Sequence, residues 1–279
     1  MTDTADSLHS QADPHAAGAA ITSAHNPRLK EIRKLARRRA RERAGRFVAE
    51  GEDLLAAADA AGRPALERYC AAGSGLAGTE VAPEALRAVS ALGSGTRTLA
   101  LYEQRWSAPT GPVCAALWGV ADPGNVGTVL RSAAAFGAAS VALGPGCADP
   151  HGPKAVRASM GAIFTVPVAR VDEPQALPGE RIALVAGEGV PLRALSIAGD
   201  VSVVIGSERE GLPTRVVDAC DRVAHIPIAT DSLNAAMAAT IALYELRMAG
   251  PQARRARSAG GRSSKSRRGA GGPAEVTIS

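Results

Sequence analysis

Short apolar runs alternate with helical stretches along most of the chain, more regularly in the second half than in the first. Runs at 113–118, 140–143, 164–168, 182–185, 201–205 and 223–226 predict strands, and 127–136, 153–159, 214–219 and 232–249 predict helices. Continuous apolar strands separated by helices imply a parallel sheet covered on both faces, an α/β fold whose ligands sit at the carboxyl ends of strands. The last helix stands apart. Leu233, Met237, Ile241, Tyr244 and Met248 point one way and Ala238, Ala242 and Leu246 another, which is more apolar surface than one stripe, so burial is expected.

In the first half, Asn26-Pro27 opens a helical stripe of Leu29, Ile32, Leu35 and Ala36 whose other faces carry arginines. Then come a strand near 47–49, a helix after Gly51, a strand near 69–70, a helix from Pro83 and a strand near 98–101, a small α/β module. Ser107-Ala108-Pro109-Thr110-Gly111-Pro112 has the turn chemistry of a linker. The expected division is 1–21 disordered, 22–103 a first domain, 104–112 a linker, 113–249 a second domain and 250–279 a disordered basic tail.

Charge adds a partner to this picture. The net +5 hides a segregation: residues 26–46 hold ten Lys/Arg against Glu31 and Glu42, and 250–279 hold seven against Glu275, around an acidic body. Two basic ends point to a polyanion, although each run alone also reads as a solvated face or tail. The 46% apolar content supplies a core, and 30 Gly, 18 Pro and 3% aromatic residues favour short elements over an aromatic β-sandwich. Cys70, Cys114, Cys147 and Cys220 lie far apart without C-x-x-C, which argues against a metal site or disulfide framework and fits a reducing cytoplasm. With no early apolar segment after Met1 and no run of eighteen apolar residues, a soluble intracellular protein without a membrane partner is expected.

Three polar clusters fall at strand ends. Asp122-Pro123-Gly124-Asn125-Val126-Gly127-Thr128-Val129-Leu130-Arg131 is a turn opening a helix, with Arg131 on the polar side; it reads as a surface arginine or, with the glycines, as an anion site, but G-x-x-x-x-G-K-[ST] is absent. Gly206-Ser207-Glu208-Arg209-Glu210-Gly211 follows a strand, and a turn accounts for its glycines but not for Glu208. Asp231-Ser232-Leu233-Asn234 opens the last helix, where a simple N-cap is the plain reading. A nucleotide site at Leu143-Gly144-Pro145-Gly146 is a poor alternative, since the third glycine and the helix are missing.

In this order the three clusters resemble the motifs of the SpoU-type (TrmH-like) RNA ribose 2′-O-methyltransferases of the SPOUT superfamily. The N-x-G-x-x-x-R turn is Asn125, Gly127 and Arg131; the G-x-E-x-x-G loop is Gly206, Glu208 and Gly211; the I-P…S-L-N segment is Ile226, Pro227, Ser232, Leu233 and Asn234. Val156-Arg157-Ala158-Ser159-Met160-Gly161-Ala162 also resembles the family, and Phe47-Val48-Ala49-Glu50-Gly51 resembles the ribosomal-protein-like substrate-binding domain that precedes it in many members. Ala235-Ala236-Met237-Ala238 departs from the commoner N-V-S-V-A continuation.

The resemblance implies a trefoil-knotted parallel-sheet methyltransferase domain behind a small α/β RNA-binding domain. It implies S-adenosylmethionine as methyl donor, with Gly187, Gly206, Ile226, Ile228 and Leu233 at the cofactor, and it implies homodimers joined through the knot. Asn125, Arg131, Glu208, Ser232 and Asn234 would form the catalytic set, Arg131 as base or as phosphate clamp and the other four positioning Arg131 and the target ribose; a guanidinium that rarely gives up its proton favours the clamp. Arg28, Lys30, Arg37, Arg38, Arg39 and Arg157 are the expected RNA contacts, and 23S ribosomal RNA the expected substrate, ahead of transfer RNA. The competing reading, a noncatalytic RNA-binding assembly factor, does not require the five polar residues.

Overall fold

The computed structural model of the chain describes residues 20–91, 95–230 and 232–248. The chain up to residue 19, Asp231, and the basic tail from 250 on lie outside the described residues. Two compact units divide between Gln104 and Arg105.

In the first unit, α1 (Pro27–Lys34) and α2 (Arg38–Ala44) lead into β1 (Arg46–Glu50), α3 (Glu52–Ala60), β2 (Glu67–Ala71), β3 (Thr79–Val81), α4 (Pro83–Val89) and β4 (Thr98–Glu103). The sheet runs β1-β4-β2-β3, with β4 antiparallel to both its neighbours and β2 parallel to β3. Leu29, Ile32 and Leu35 are buried against Tyr69, Leu86 and Leu99, as the helical stripe predicts. The basic stretch from 26 to 46 holds two helices, α1 and α2, with the apolar stripe on the first and at its end. Arg41 breaks the expectation that the arginines face outward: only 4% exposed, it donates from Nη1 to the carbonyls of Leu35 (2.8 Å) and Ala36 (2.9 Å), capping the corner where α1 ends.

The Phe-Val-Ala-Glu-Gly stretch has a physical reading. Phe47 is buried in β1, and the buried Glu50 carboxylate accepts from the Ser90 hydroxyl (2.5 Å), the Ala91 amide (2.8 Å) and the Thr96 hydroxyl (3.2 Å), fastening the chain after α4. Gly51, at φ 105°, then turns into α3.

The second unit contains β5 (Val113–Leu117), α5 (Pro123–Phe136), β6 (Ser140–Leu143), α6 (Pro153–Ala158), β7 (Val168–Arg170), β8 (Glu180–Leu184), β9 (Val190–Pro191), β10 (Val201–Ile205), α7 (Thr214–Asp218), β11 (Arg222–His225) and α8 (Ala235–Met248). Its seven strands run β7-β6-β5-β10-β8-β11-β9, every pairing parallel. The predicted strand at 164–168 is displaced: 162–164 is a 3-10 turn and pairing starts at Val168. The segment read as a linker is tied to this sheet. Ser107 donates its amide to Val168 O (2.9 Å), and Thr110 exchanges bonds with the Ser140 hydroxyl (2.9 and 2.8 Å).

The last helix also departs from expectation. Its buried face is Ala235, Ala236, Ala239, Ala242, Leu243 and Leu246, whereas Met237 is 58% and Tyr244 48% exposed. Alanines let α8 approach α5 closely, and the Ser132 and Thr240 hydroxyls meet at 2.6 Å between the two helices. The side chain of Met248 lies outside the described residues.

Candidate functional site

The loops after β5, β10 and β11 converge. Pro123 occupies the first position of α5, and the Asp122 carboxylate accepts from the Asn125 amide at 2.8 Å. That carboxylate occupies the helix end proposed above for an anion, so the turn is not an anion cradle. Gly127 has a different purpose from turning: a Cβ there would lie 2.4 Å from Ala155 O and 2.6 Å from Ala158 Cβ, so its absence seats α6 directly on α5.

After β10, Gly206 is buried and a Cβ on it would stand 2.2 Å from the Gly211 carbonyl carbon. The loop therefore folds back on itself, Gly211 donating its amide to Ser207 O at 3.0 Å with φ 66°. This hairpin carries Glu208. The third loop ends at Asn234, whose Oδ1 accepts from the amides of Ala236 (2.9 Å) and Met237 (3.2 Å) and so caps α8. The cap is Asn234, not Ser232.

These three loops are joined by a directed hydrogen-bond chain. With Oδ1 fixed by the helix amides, Asn234 Nδ2 donates to Asn125 Oδ1 at 3.2 Å, and Asn125 Nδ2 then donates to Glu208 Oε1. The residues concerned are 109 and 83 positions apart. The positive end of α8 is thus coupled through two amides to a carboxylate.

Beside this chain lies a cavity of about 290 Å³ lined by Gly206, Glu208, Ile226, Ile228, Ser232 and Leu233 among others, with Leu184, Val185, Ala235 and Ala238 adding apolar wall. Gly187 does not line it; it lines a second cavity of about 490 Å³ that shares Ala186, Ile226 and Ile228 with the first. His225 borders this second space, its Nδ1 3.0 Å from Glu188 O. Sequence reasoning missed Ala186 and His225, although the glycine after β8 and the end of β11 were the available signals.

Arg131 is not brought to either cavity. It is exposed on α5, one turn beyond Gly127, and makes no hydrogen bond or ion pair with a described residue. Arg157 is exposed in the last turn of α6. In the first unit, Arg28, Lys30, Arg37 and Arg39 are exposed and form no ion pair with a described residue, while Arg38 pairs with Glu42 at 3.0 Å. Gly144 is a packing glycine, its missing Cβ 2.4 Å from the Trp118 ring, and not part of a nucleotide turn.

The cysteines offer no nucleophile. Burial raises the thiol pKa at Cys70, Cys114 and Cys147, and lifts Cys220 to about 11. Among the described residues no His, Cys, Asp and Glu cluster is placed to hold a metal ion, and no helix is long and apolar enough to cross a membrane.

The cavity suits a ligand with an apolar ring and a cationic centre. Its isoleucines and leucines offer ring contacts, and Glu208, Arg209 and Glu210 leave one net negative charge on the lining.

Residues 112–244 match the model of the SpoU rRNA Methylase family, and residues 26–96 that of the MRM3-like substrate binding domain. The chain is 31% identical to an uncharacterized tRNA/rRNA methyltransferase of Synechocystis over 82% of its own length and 93% of that protein. It is 28% identical to the 23S rRNA (guanosine(2553)-2′-O)-methyltransferase RlmP of Bacillus subtilis, over 81% and 98% of the two chains. The AdoMet-bound rRNA methyltransferase of Sinorhizobium meliloti superposes with a TM-score of 0.74 at 29% identity, covering 82% of this chain and 97% of that one.

Proposed function

Because this chain belongs to the SpoU rRNA methylase family, we propose that it methylates a ribose 2′-hydroxyl of 23S ribosomal RNA, with S-adenosylmethionine as donor. The observation that carries this reading is the chain Asn234–Asn125–Glu208, which joins three distant loops and ends on Glu208 in the wall of the cavity. A packing role alone needs no such polar alignment.

Bound S-adenosylmethionine supplies an activated methyl group on a sulfonium. Ile226, Ile228 and Leu233 of the cavity wall would hold its adenine, Gly206 would let the chain come close, and Glu208 would balance its positive charge. Gly187, at φ 70° with open space around it, shapes the adjoining cavity. The protein's main task is to align the ribose hydroxyl. Ser232 at the cavity and the two asparagines position it, and Arg131 grips an RNA phosphate with its fork rather than accepting a proton; the proton that the hydroxyl loses as its oxygen takes the methyl passes by way of that phosphate to water.

The exposed position of Arg131 outside its own cavity supports a site completed by a second copy. Met237 and Tyr244, the latter edge-on to Phe136 at 5.9 Å, give that copy an apolar face on α8. We take this face as the homodimer contact and the threading of α8 as the trefoil knot, in keeping with its packing on α5 and the central strands.

Residues 22–103 form the RNA substrate-binding domain in this reading, 104–112 the connection and 113–249 the catalytic domain. Arg28, Lys30, Arg37, Arg38 and Arg39, with Arg157 of the second unit, supply phosphate attraction. The four free cysteines are in keeping with a reducing cytoplasm.

The test is incubation with methyl-labelled S-adenosylmethionine and, separately, unmodified ribosomal and transfer RNA, followed by nucleoside analysis. A 2′-O-methyl nucleoside from ribosomal RNA is expected. Label in transfer RNA alone would move the substrate, and failure to bind the cofactor would leave an RNA-binding scaffold.

A further inference from the structure

Met160 stands out from the rest of the chain. It takes φ 48°, the one non-glycine residue in the left-handed region among the described residues, yet its side chain is 53% exposed. A side chain held at a conformational cost with about half its surface in solvent adds little to the core. The turn that enforces it is well fixed: Ser159 is fully buried with its hydroxyl donating to Val156 O at 2.7 Å, and Gly161 is buried behind.

The place of this turn is equally informative. Gly127 lets α6 sit against α5, between Asn125 and Arg131 in sequence, with the Ser159 amide only 3.0 Å from where a Cβ on residue 127 would be. Lys154 and Arg157, both exposed on α6, form no ion pair with a described residue. A flexible thioether just beyond a helix that carries two exposed cations suits a flat apolar surface strung on phosphates.

Resting on the methyltransferase reading, we infer that Met160, Arg157 and Lys154 form a docking ledge for an unpaired nucleotide flanking the target ribose. The base lies on the Met160 thioether, and Arg157 and Lys154 take the neighbouring phosphates. The strained turn keeps the methionine out of the core and available to RNA.

Met160→Gly separates the ledge from the fold, because glycine relieves the left-handed strain while removing the side chain. The urea midpoint is expected to stay or rise, S-adenosylmethionine affinity to hold, and binding of unmodified 23S ribosomal RNA to weaken about 3–10-fold. Arg157→Ala should lower the salt slope of that binding by about one. Unchanged RNA affinity in Met160→Gly overturns the inference, as does a lowered urea midpoint, which would give the side chain to the fold. Loss of the dimer in Met160→Gly would overturn it in favour of a second copy of the chain. If wild-type protein binds this RNA but transfers no methyl, the reaction reading fails, and the affinity comparison still decides the ledge.

Discussion

Replacing Gly127 with alanine sets two known effects against each other. Alanine in a helix interior is favoured over glycine by about 0.5–1 kcal/mol. Against this, the new methyl would stand 2.4 Å from Ala155 O, 2.6 Å from Ala158 Cβ and 3.0 Å from Ser159 N, where ordinary contact begins at 3.4 Å. None of these atoms is the far end of a flexible side chain, so α6 itself must retreat by up to an ångström. Overpacking of this kind costs about 1–3 kcal/mol and more when backbone must move. The steric term wins, and a net loss of about 1–2 kcal/mol is expected. Urea denaturation reads it as a lower midpoint with an unchanged slope. Asn125 stands two residues before Gly127 on the same helix, so whatever part of the clash α5 takes up moves Asn125 with it, and a misplacement of ~1 Å costs on the order of 10²-fold in rate. A variant as stable as the parent, or more so, would refute the packing argument; a destabilised variant of full activity would separate the packing from the site.

Other outcomes follow from the same geometry. Arg131→Ala should abolish methyl transfer while S-adenosylmethionine affinity, read by calorimetry, stays within a factor of about two, since Arg131 lines neither cavity; retained turnover would remove it from the reaction. Asn234→Ala removes both the α8 cap and the link to Asn125, with an expected loss of about 1 kcal/mol and a fall in kcat larger than any change in KM. Neutralising Arg37, Arg38 and Arg39 together should weaken RNA binding and flatten its salt dependence, and an unchanged slope would assign these residues to solvent. Asp221 is held at about 2 by the hydrogen bonds of the Arg181 guanidinium (2.8 and 2.9 Å) and then of its backbone amide. Its folded pKa lies below the unfolded value, so its contribution is complete above about pH 4 and disappears as pH falls towards 2. With 41% of that side chain exposed, screening keeps it below ~1 kcal/mol, so thermal melts of Asp221→Asn should differ from the parent at pH 7 and converge near pH ~2.

Many of the elements are legible in the amino-acid order alone. The strands at 140–143 and 201–205 coincide with the observed ones because each is a run of apolar residues, broken only by Ser140 or Ser202, that is buried throughout. The short strands at Thr79–Val81 and Val190–Pro191 are not legible, having too few residues to show a period. The three polar clusters can be named as candidates from residue type and order. Their meaning as one site cannot, because nothing local in the chain places Asn125 beside Glu208 or Asn234.

The same division holds for individual residues. Residue type and order are enough to make the chain an α/β protein with basic ends, and to single out Asn125, Glu208 and Asn234 as the polar exceptions at strand ends. Only the folded chain shows that Arg41 is a buried cap while Arg37 and Arg39 meet solvent, that Gly127 serves helix contact and not a turn, and that α8 buries its alanines and exposes Met237 and Tyr244. Periodicity and turn chemistry act over a few residues and so fix elements. The parallel order β7-β6-β5-β10-β8-β11-β9 is set by pairings far apart in the chain, and that order is what draws the three loops together.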